Sequence, residues 1–340
     1  MNSHTTLPDD NDRVQSRHTM LAMLSLQGAR ALVERQQPIA DDIRALARTP
    51  ARRVELTRGL EPWRQLEDLT DDPMVGVSLA DGTGITAFQM FGSAFASSPH
   101  LLAAIHTFAK YFPYVCQAAY VYEYSLHGKT VLGWENDAAR PPHTLRDYVF
   151  AELIHALRVY AWHPVVPLRV ELAGLGKVQV HEYQRALGCR VQPTRDANRI
   201  VLETARLTTP LRGANPSLYQ HALLRLAADS SVPETTSRRT LGAIEQLMDR
   251  GETHITAVAS RLGMSVRGLQ KRLATEGYRY SVLLRRARQR RAARWLCESD
   301  VSISTIAYAL GYSDPVSFQR AFQHWFGVSP GRFRQHHCNY

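Results

Sequence analysis

One pattern occurs twice near the end of the chain, as ITAVASRLGMSVRGLQKRL at residues 255–273 and as ISTIAYALGYSDPVSFQRAF at residues 303–322. Four apolar residues of the first copy recur 48 positions later; the pairs are Ile255 and Ile303, Val258 and Ile306, Ala259 and Ala307, and Leu262 and Leu310. Their spacing of i, i+3, i+4 and i+7 predicts one apolar face of a short helix in each copy. Each helix then reaches a glycine, Gly263 or Gly311, where left-handed backbone can end it.

A second helix is predicted after each turn. It begins after Ser265 in the first copy and after Asp314 in the second, with Pro315 as its first residue, because these residue types favour the N-cap and N1 positions. Helix, glycine turn and capped helix together form the helix-turn-helix layout. One copy would be a weak indication, since helical proteins contain many such corners. Two copies with matched core positions favour this interpretation.

The segment between the copies, RYSVLLRRARQRRAARWLCE at residues 279–298, is predicted to form one continuous helix. Twenty residues at about 1.5 Å each span roughly 30 Å, close to the ~34 Å between successive major-groove faces of B-DNA. The helix carries six arginines that cannot all face one way; they are Arg285, Arg286, Arg288, Arg290, Arg291 and Arg294. Contact with phosphate, pairing within the molecule or packing over the core, and a purely solvated basic face all remain open for them.

Positive charge is confined to this part of the chain. Residues 237–340 hold 17 Lys and Arg against 7 Asp and Glu, whereas residues 1–236 hold 24 of each. An unbalanced surplus costs self-repulsion, so only the C-terminal part is predicted to meet a polyanion. The polar segment ADSSVPETTSRR, at residues 228–239, lacks apolar periodicity and has the composition of a linker. We expect one domain at residues 1–227, a linker at 228–238 and a basic domain at 239–340.

The sequence before the linker mixes two periodicities. Apolar spacing predicts helices at residues 13–35, 99–112 and 144–161, the last with Thr144 as its N-cap. Strand-like segments are predicted at 116–126 and 129–136, as a hairpin around His127 and Gly128, and at 167–173 and 198–203. This pattern predicts an α+β fold for the N-terminal domain, followed by an all-α domain with two helix-turn-helix units joined by a long helix.

The C-terminal segment resembles the DNA-binding domain of the AraC/XylS family. The resemblance is carried by SISTIAYALGYSDPVSFQRAFQHWFGVSPGRFR, residues 302–334, including the trailing Gly327, Val328, Ser329, Pro330, Phe333 and Arg334. It covers about the last hundred residues and implies seven helices there. The N-terminal domain resembles, more loosely, the effector-binding region of the branch that includes the ornithine-utilisation regulator, in DDPMVGVSLA (71–80), FGSAFASSPHLLAAIHTFAKYF (91–112) and LGCRVQPTRDANRIVLE (187–203).

The family resemblance implies base-facing positions on both recognition helices. In the first helix these are Arg267, Gln270 and Lys271, and in the second Pro315, Val316, Gln319 and Arg320, with Ser317 as a phosphate anchor. Arg and Lys can donate to guanine O6 and N7, and Gln can pair with adenine. Gly268 within the first helix is unusual, and Pro315 and Val316 offer few hydrogen bonds. The second unit is therefore expected to contribute mainly shape and phosphate contacts.

An effector pocket is predicted only from composition. Fifteen of the 29 aromatic residues lie between Phe88 and Trp162, and such density either lines a cavity or fills a core. The candidate effector-binding residues are Phe88, Phe91, Phe95, Tyr111, Tyr114, Tyr120, Tyr122 and Trp134. Tyr120, Tyr122 and Tyr124 alternate along one predicted strand and so share a face.

Several classes of function are disfavoured. The four cysteines, Cys116, Cys189, Cys297 and Cys338, show no metal-ligand or disulfide spacing, and no segment approaches 18 apolar residues. The N-terminal MNSHTTLPDDNDR lacks the pattern of a signal peptide. We expect a cytoplasmic protein that does not contact membranes, with no cofactor, metal site or catalytic residue. The alternative is a DNA-binding module coupled to a cysteine alkyl-transfer repair enzyme, although Cys116 and Cys189 lack that motif.

Together these features predict a transcription regulator, in relatives more often an activator, that is not an enzyme. Its expected partners are double-stranded DNA at promoter half-sites, RNA polymerase, a small-molecule effector of unknown identity and a second copy of the chain as a homodimer.

Overall fold

The structure is a computed structural model that describes residues 53–335, except 71, 83–84, 118, 127, 137–141, 196, 229–234, 249, 277 and 327, together with 19–21, 27–29 and 32. Most of the helix predicted at residues 13–35 lies outside these residues. Residues 27–29 and 32 are helical as predicted, but the prediction is wrong at Thr19–Leu21, which pair with Arg53–Glu55 as a strand. His127 in the predicted hairpin turn and six residues of the predicted linker do so as well. Within the described ranges, no helix combines the length and apolar composition needed to cross a bilayer.

The N-terminal part is a mixed α+β fold, as predicted. Its helices are α1 (Leu56–Leu69), α2 (Val75–Ser78), α3 (Gln89–Ala96), α4 (Leu101–Val115), α5 (His143–Val159), α6 (Lys177–Leu187), α7 (Thr204–Leu207) and α8 (Pro216–Ala228), with 3-10 turns at Leu79–Gly82 and Ile85–Phe88. Its strands are β1 (Thr19–Leu21), β2 (Arg53–Glu55), β3 (Ala119–Leu126), β4 (Lys129–Asn136), β5 (Arg169–Ala173), β6 (Val191–Thr194) and β7 (Asn198–Glu203).

Five of these strands form one sheet in the order β3-β4-β7-β5-β6, in which only β5 and β6 run parallel. Side chains alternate across it. Val121, Leu132 and Trp134 face α4 and α5 in the N-terminal core, whereas Tyr124 and Val131 face the opposite way. The inner face is sealed by aromatic contacts, such as Phe112 against Trp134 at 5.4 Å between ring centroids. The sheet therefore has an inner face that is covered by its own helices and an outer face that is free to meet another part of the chain.

Helix α5 begins one residue before the predicted cap. His143 is its first residue, and the preceding Pro142 provides no side-chain hydrogen bond. Thr144 is buried instead, and its hydroxyl donates to the backbone carbonyl of Trp63 at 3.2 Å. The prediction that Thr144 caps the helix is thus wrong, because the helix begins one residue earlier and Thr144 is its second residue, where its hydroxyl makes a tertiary contact instead.

A buried polar network joins α5 to the sheet and to α6. The Arg146 guanidinium donates to Asp147 at 2.8 Å and to Asn198 Oδ1 at 2.8 Å. The other carboxylate oxygen of Asp147 accepts from the Tyr183 hydroxyl at 2.6 Å. Burial raises the pKa of Tyr183, and the adjacent Asp147 carboxylate raises it further, so the phenol stays protonated and donates. The charged pair is stable in the interior because its partners supply the hydrogen bonds that water would provide.

The C-terminal part is all helical. The helices of its described residues are α9 (Thr236–Met248), α10 (Ile255–Arg261), α11 (Val266–Thr275), α12 (Tyr280–Glu298), α13 (Ile303–Ala309), α14 (Pro315–Phe326) and α15 (Pro330–Gln335). They match the seven helices implied by the family resemblance. Helix α12, called the connecting helix below, joins the two helix-turn-helix units.

Helix α9 begins inside the segment that was predicted to be the linker. The Glu276 carboxylate accepts hydrogen bonds from the backbone N–H groups of Thr236 at 2.6 Å and Ser237 at 2.7 Å. An acidic side chain at a helix N-terminus satisfies free N–H groups and complements the helix dipole. The division of the chain into 1–227, 228–238 and 239–340 stays a prediction.

Candidate functional site

The first recognition helix, α11, is fixed by its cap and its buried face. The Ser265 hydroxyl accepts from the backbone N–H of Gly268 at 3.0 Å, as predicted for an N-cap. A Cβ at Gly268 would lie 3.0 Å from that hydroxyl, so glycine leaves room for the capping group. Leu269 and Leu273 are fully buried. The three predicted base-facing residues are all exposed: Arg267, Gln270 and Lys271.

The second recognition helix, α14, has the same arrangement. The Asp314 carboxylate accepts from the backbone N–H of Ser317 at 2.8 Å and from its hydroxyl at 2.7 Å. These hydrogen bonds lower the pKa of Asp314, and the bond from the Ser317 side chain has the largest effect. Phe318 and Phe322 are buried on the inner face. Of the predicted DNA-contacting residues, Pro315 is half-buried and the others are exposed: Val316, Ser317, Gln319 and Arg320.

The glycine at each turn has the predicted left-handed backbone, with φ of 67° at Gly263 and 78° at Gly311. Gly311 is also held sterically, because a Cβ there would lie 2.5 Å from the Thr253 hydroxyl oxygen. The backbone carbonyl of Thr253 accepts from the Tyr280 hydroxyl at 2.8 Å. Three segments therefore meet at one point. They are represented by Thr253 before the first unit, Tyr280 at the start of the connecting helix and Gly311 in the second turn. This contact restricts how the two units can move against each other.

Arg288 of the connecting helix supports the second unit. Its guanidinium donates to the backbone carbonyls of Leu310 at 2.6 Å and Gly311 at 2.7 Å, which follow the last turn of α13. It also lies over the Tyr312 ring, 4.4 Å from the centroid. A cation at a helix C-terminus satisfies carbonyls that have no helical partner. Sequence reasoning left the role of Arg288 open, and the structure shows an intramolecular one.

The other connecting-helix arginines differ in exposure. Arg286 is buried against Tyr120 and Tyr278. Arg290 pairs with Glu245 at 3.0 Å. Arg291 stacks on Trp295 of its own helix at 4.9 Å. Arg285 and Arg294 are exposed. The structure therefore gives at least Arg286, Arg288 and Arg290 partners within the chain, so phosphate contact is restricted to a subset.

The diagnostic tail motif has a structural role. Phe333 is fully buried, with its ring centroid 5.0 Å from that of Phe322 and 5.3 Å from that of Phe326. Arg334 donates to the backbone carbonyl of Val301. Helix α15 thereby joins the C-terminal half of the second recognition helix to the residues just before α13. The motif is diagnostic of the domain because its Phe333 completes the core.

The eight predicted effector-binding residues do not share one cavity. Phe88, Phe91, Phe95 and Trp134 lie in the N-terminal core, and Tyr111 and Tyr114 pack half-buried against it. Tyr120 and Tyr122 lie on the outer face of the sheet and stack with Tyr124, as their alternation predicted. Effector binding by any of the eight stays a prediction. Their placement separates core residues from two tyrosines that line a groove.

Cys116 and Cys189 are the two cysteines that the alkyl-transfer alternative considered. Cys116 is fully buried, and burial raises the pKa of Cys189 to about 11, so little thiolate forms near neutral pH. Among the residues that the structure describes, no group of His, Cys, Asp and Glu side chains is arranged to hold a metal ion. Neither cysteine has the environment that alkyl transfer requires.

Two family models match the sequence. The model described as a helix-turn-helix domain matches residues 258–336. The model described as the N-terminal arabinose-binding domain of the AraC transcription regulator matches residues 42–211, which is half of the chain. Both matches fall mostly on the described parts of the fold, and residues 42–52 and 336 lie outside them. The α+β fold agrees with the prediction that the N-terminal domain contains helices as well as strands.

Individual relatives are regulators. The transcriptional regulator VirS of Mycobacterium tuberculosis is 33% identical over 153 residues, 45% of this chain and 45% of that protein. The transcriptional activator NphR of a Rhodococcus species is 31% identical over 122 residues, 36% of each chain. The ornithine utilization regulator of Pseudomonas aeruginosa is 26% identical over 277 residues, 78% of this chain and 80% of that protein.

The match to VirS therefore spans less than half of that relative, whereas the match to the ornithine utilization regulator extends through both parts of the fold. The resemblance to the ornithine-utilisation branch is confirmed. These matches are to transcription regulators and not to enzymes, which removes support from the alkyl-transfer alternative. The chain belongs to the AraC family of helix-turn-helix transcription regulators.

Proposed function

We propose that this protein binds double-stranded DNA through both helix-turn-helix units and activates transcription in response to a small-molecule effector. One observation carries the DNA-binding proposal. Each second helix buries its apolar face and exposes the polar residues that the family places against bases, Arg267 and Gln270 in one unit and Gln319 and Arg320 in the other. The surplus of positive charge in residues 237–340 supports a polyanionic partner.

The chemistry of the two helices is unequal. Arg267 and Lys271 can donate to the O6 and N7 of guanine, and Gln270 can pair with adenine. The second helix begins with Pro315 and the exposed Val316, which suit apolar contact with a thymine methyl group. Both the hydroxyl and the backbone N–H of Ser317 already donate to Asp314, so Ser317 must exchange these hydrogen bonds before it can anchor a phosphate. We therefore assign most of the sequence reading to the first unit.

The connecting helix supports binding to successive grooves. Its 19 residues span about 28 Å at 1.5 Å per residue, comparable with the ~34 Å of one turn of B-DNA.

The N-terminal part contacts the far end of the second recognition helix, where Arg199 donates to the backbone carbonyl of Trp325 at 3.2 Å. Gln319 and Arg320 stay exposed in this arrangement. The protein can therefore meet DNA without first uncovering these side chains.

Control by an effector, pairing of two copies and contact with RNA polymerase complete the proposal. The N-terminal match to a family model for an effector-binding domain supports the first. The name of the relative NphR, a transcriptional activator, supports activation. Two copies would hold two DNA sites at high effective concentration, which strengthens promoter binding without new contacts. Light scattering of the protein tests whether it forms a dimer. A protein that is strictly monomeric in light scattering and still binds a promoter fragment with unchanged affinity would contradict the dimer.

The test of tandem binding uses DNA selected from a random pool by the purified full-length protein. Fluorescence anisotropy compares the selected site with a version in which five base pairs are inserted between the segments protected by the two units. Half a helical turn moves one segment to the opposite side of the duplex, so we expect the affinity to fall to that of a single segment. A matched insertion of about ten base pairs outside both segments is the control. Equal affinity for all three DNAs would contradict binding through both units.

A further inference from the structure

A groove of about 620 Å³ lies between the outer face of the sheet and the C-terminal helices. We call it the tyrosine groove and define it by six side chains. They are Tyr120, Tyr122 and Tyr124 of β3 and Arg290, Arg291 and Arg294 of the connecting helix. Trp325 and Phe326, at the end of the second recognition helix, close one side. Its volume is typical of a small-molecule site.

The tyrosine wall is closely packed. The Tyr122 and Tyr124 rings stack with centroids 6.2 Å apart and planes 5° apart, and Tyr120 continues the stack at 5.9 Å. Gly133 lies opposite Tyr122 on β4, and a Cβ there would fall 2.1 Å from Tyr122 Cζ. The Tyr122 ring therefore covers the bare backbone of Gly133. An aromatic surface that is held this way needs little ordering when a flat ligand packs on it.

The opposite wall is cationic. Three arginines line the groove against two glutamates, Glu123 and Glu245. Both glutamates already have partners, His106 Nδ1 at 2.9 Å from Glu123 and Arg290 Nη1 at 3.0 Å from Glu245. The surplus of positive charge thus falls on the connecting helix. Arginine binds carboxylates through two parallel hydrogen bonds, so this wall suits a ligand with a carboxylate.

A second cavity of about 500 Å³ lies beside the groove, shares Tyr120, Tyr122 and Arg290 with it and is also lined by Arg286. Arg286 is 3% exposed, and its Nε has no hydrogen-bond partner. A carboxylate oxygen of Glu135 is 3.6 Å from that nitrogen, too far for a hydrogen bond. A buried guanidinium N–H without an acceptor is costly, so a carboxylate that reached this end would relieve a defect in the unliganded protein.

We propose that the tyrosine groove binds a planar aromatic molecule that carries a carboxylate. The aromatic body packs on the tyrosines of the N-terminal part, and the carboxylate pairs with arginines of the connecting helix. This inference rests on the proposed function, because it names the chemical class of the effector. The ligand would contact both parts of the chain at once, so its binding changes how firmly the sheet holds the DNA-binding helices.

The test uses 2-naphthoate and its neutral analogue 2-naphthamide with the full-length protein in the absence of DNA. Isothermal titration calorimetry should give a dissociation constant about tenfold lower for the naphthoate than for the amide, because only the carboxylate pairs with arginine. Arg294→Gln should weaken naphthoate binding by about fivefold or more. Arg279→Gln removes an exposed arginine outside the groove and should leave binding unchanged. Equal affinity for both probes, or no effect of Arg294→Gln, would overturn the proposal.

Location is tested with Cys297, which lines the groove and is half-buried. Saturating 2-naphthoate should slow its alkylation by N-ethylmaleimide about fivefold or more, as followed by peptide mass spectrometry, and the same reaction without ligand serves as the reference. Naphthoate binding without protection of Cys297 would place the site elsewhere and contradict the proposal that the groove binds the ligand. DNA binding by the same samples is measured separately, so failure of DNA recognition and failure of the ligand proposal give different results.

Discussion

Arg286 of the connecting helix lies over the ring of Tyr120, with its guanidinium carbon 4.6 Å from the ring centroid. The same guanidinium lies 5.4 Å from the centroid of Tyr278, and its side chain is only 4% exposed. A cation that has lost its water is stable only where aromatic faces and carboxylates replace that water. Tyr120 belongs to the sheet and Arg286 to the DNA-binding helices, so this contact joins the two parts of the molecule.

Replacing Arg286 with alanine should loosen that junction. The change removes both ring contacts and leaves Glu135 without its cation, which we expect to cost about 2–4 kcal/mol of unfolding free energy. Urea unfolding measures the loss, and limited proteolysis should show faster cleavage at residues 228–238. Arg286→Lys keeps the charge but loses the planar stacking on the rings. Its unfolding free energy should lie between that of the unchanged protein and that of Arg286→Ala. Arg285→Ala, at an exposed neighbour, is the matched control. Equal stability of the alanine variants would show that Arg286 does not join the two parts.

The sequence predicted local features of the fold well. The i, i+3, i+4 and i+7 spacing and the two glycines placed the helix-turn-helix units correctly, because φ above zero at Gly263 and Gly311 is a local requirement. The alternation along β3 correctly put Tyr120, Tyr122 and Tyr124 on one face. It could not show which face meets the connecting helix, since that depends on packing between distant segments.

Side chains with distant partners were harder to predict. Arg288 bonds the carbonyl of Leu310, and Glu276 caps the helix that begins at Thr236, 40 positions earlier. No local pattern marks such pairs. Aromatic density likewise could not separate Phe91, which fills the core, from Tyr122, which lines the groove, because both are large and apolar. Strand parity was the one available signal, and it applies only to residues on strands.

The pair of His106 and Glu123 should make stability depend on pH. The hydrogen bond to Glu123 raises the pKa of His106 above its usual 6.5. The folded state therefore binds the proton more tightly, so the stabilisation is full below pH 6.5 and is lost as the pH rises through the higher folded-state pKa. The imidazole is largely exposed, which limits the effect to about 0.2–1 kcal/mol. Urea unfolding of the protein and of His106→Gln should differ more at pH 5.5 than at pH 8.5. A constant difference across that range would contradict the role of this pair.

Leu310 should be essential for the second helix-turn-helix unit. It is fully buried beside the turn, and truncation of a buried leucine removes apolar contact and leaves a cavity. Leu310→Ala should therefore lower the unfolding free energy by about 2–5 kcal/mol. Leu224→Ala makes the same chemical change at a position that is 69% exposed and should cost less than about 0.5 kcal/mol. Thermal unfolding of both variants tests the difference, and similar losses would show that burial at Leu310 is not what stabilises the unit.

Arg267 should read a base rather than only a phosphate. Its side chain is exposed in the first turn of the first recognition helix. It comes one residue before Gly268, whose backbone N–H donates to the N-cap Ser265. A bidentate contact with guanine is worth about 1–3 kcal/mol, so Arg267→Ala should weaken binding to the selected DNA by that amount and remove discrimination at one base pair. Arg272→Ala, on the same helix and also exposed, is the matched control. Loss of a phosphate contact weakens all sequences alike and reduces the salt dependence. Anisotropy titrations against single-base-pair variants distinguish the two, and an Arg267→Ala protein with unchanged sequence preference would remove Arg267 from the base-reading residues.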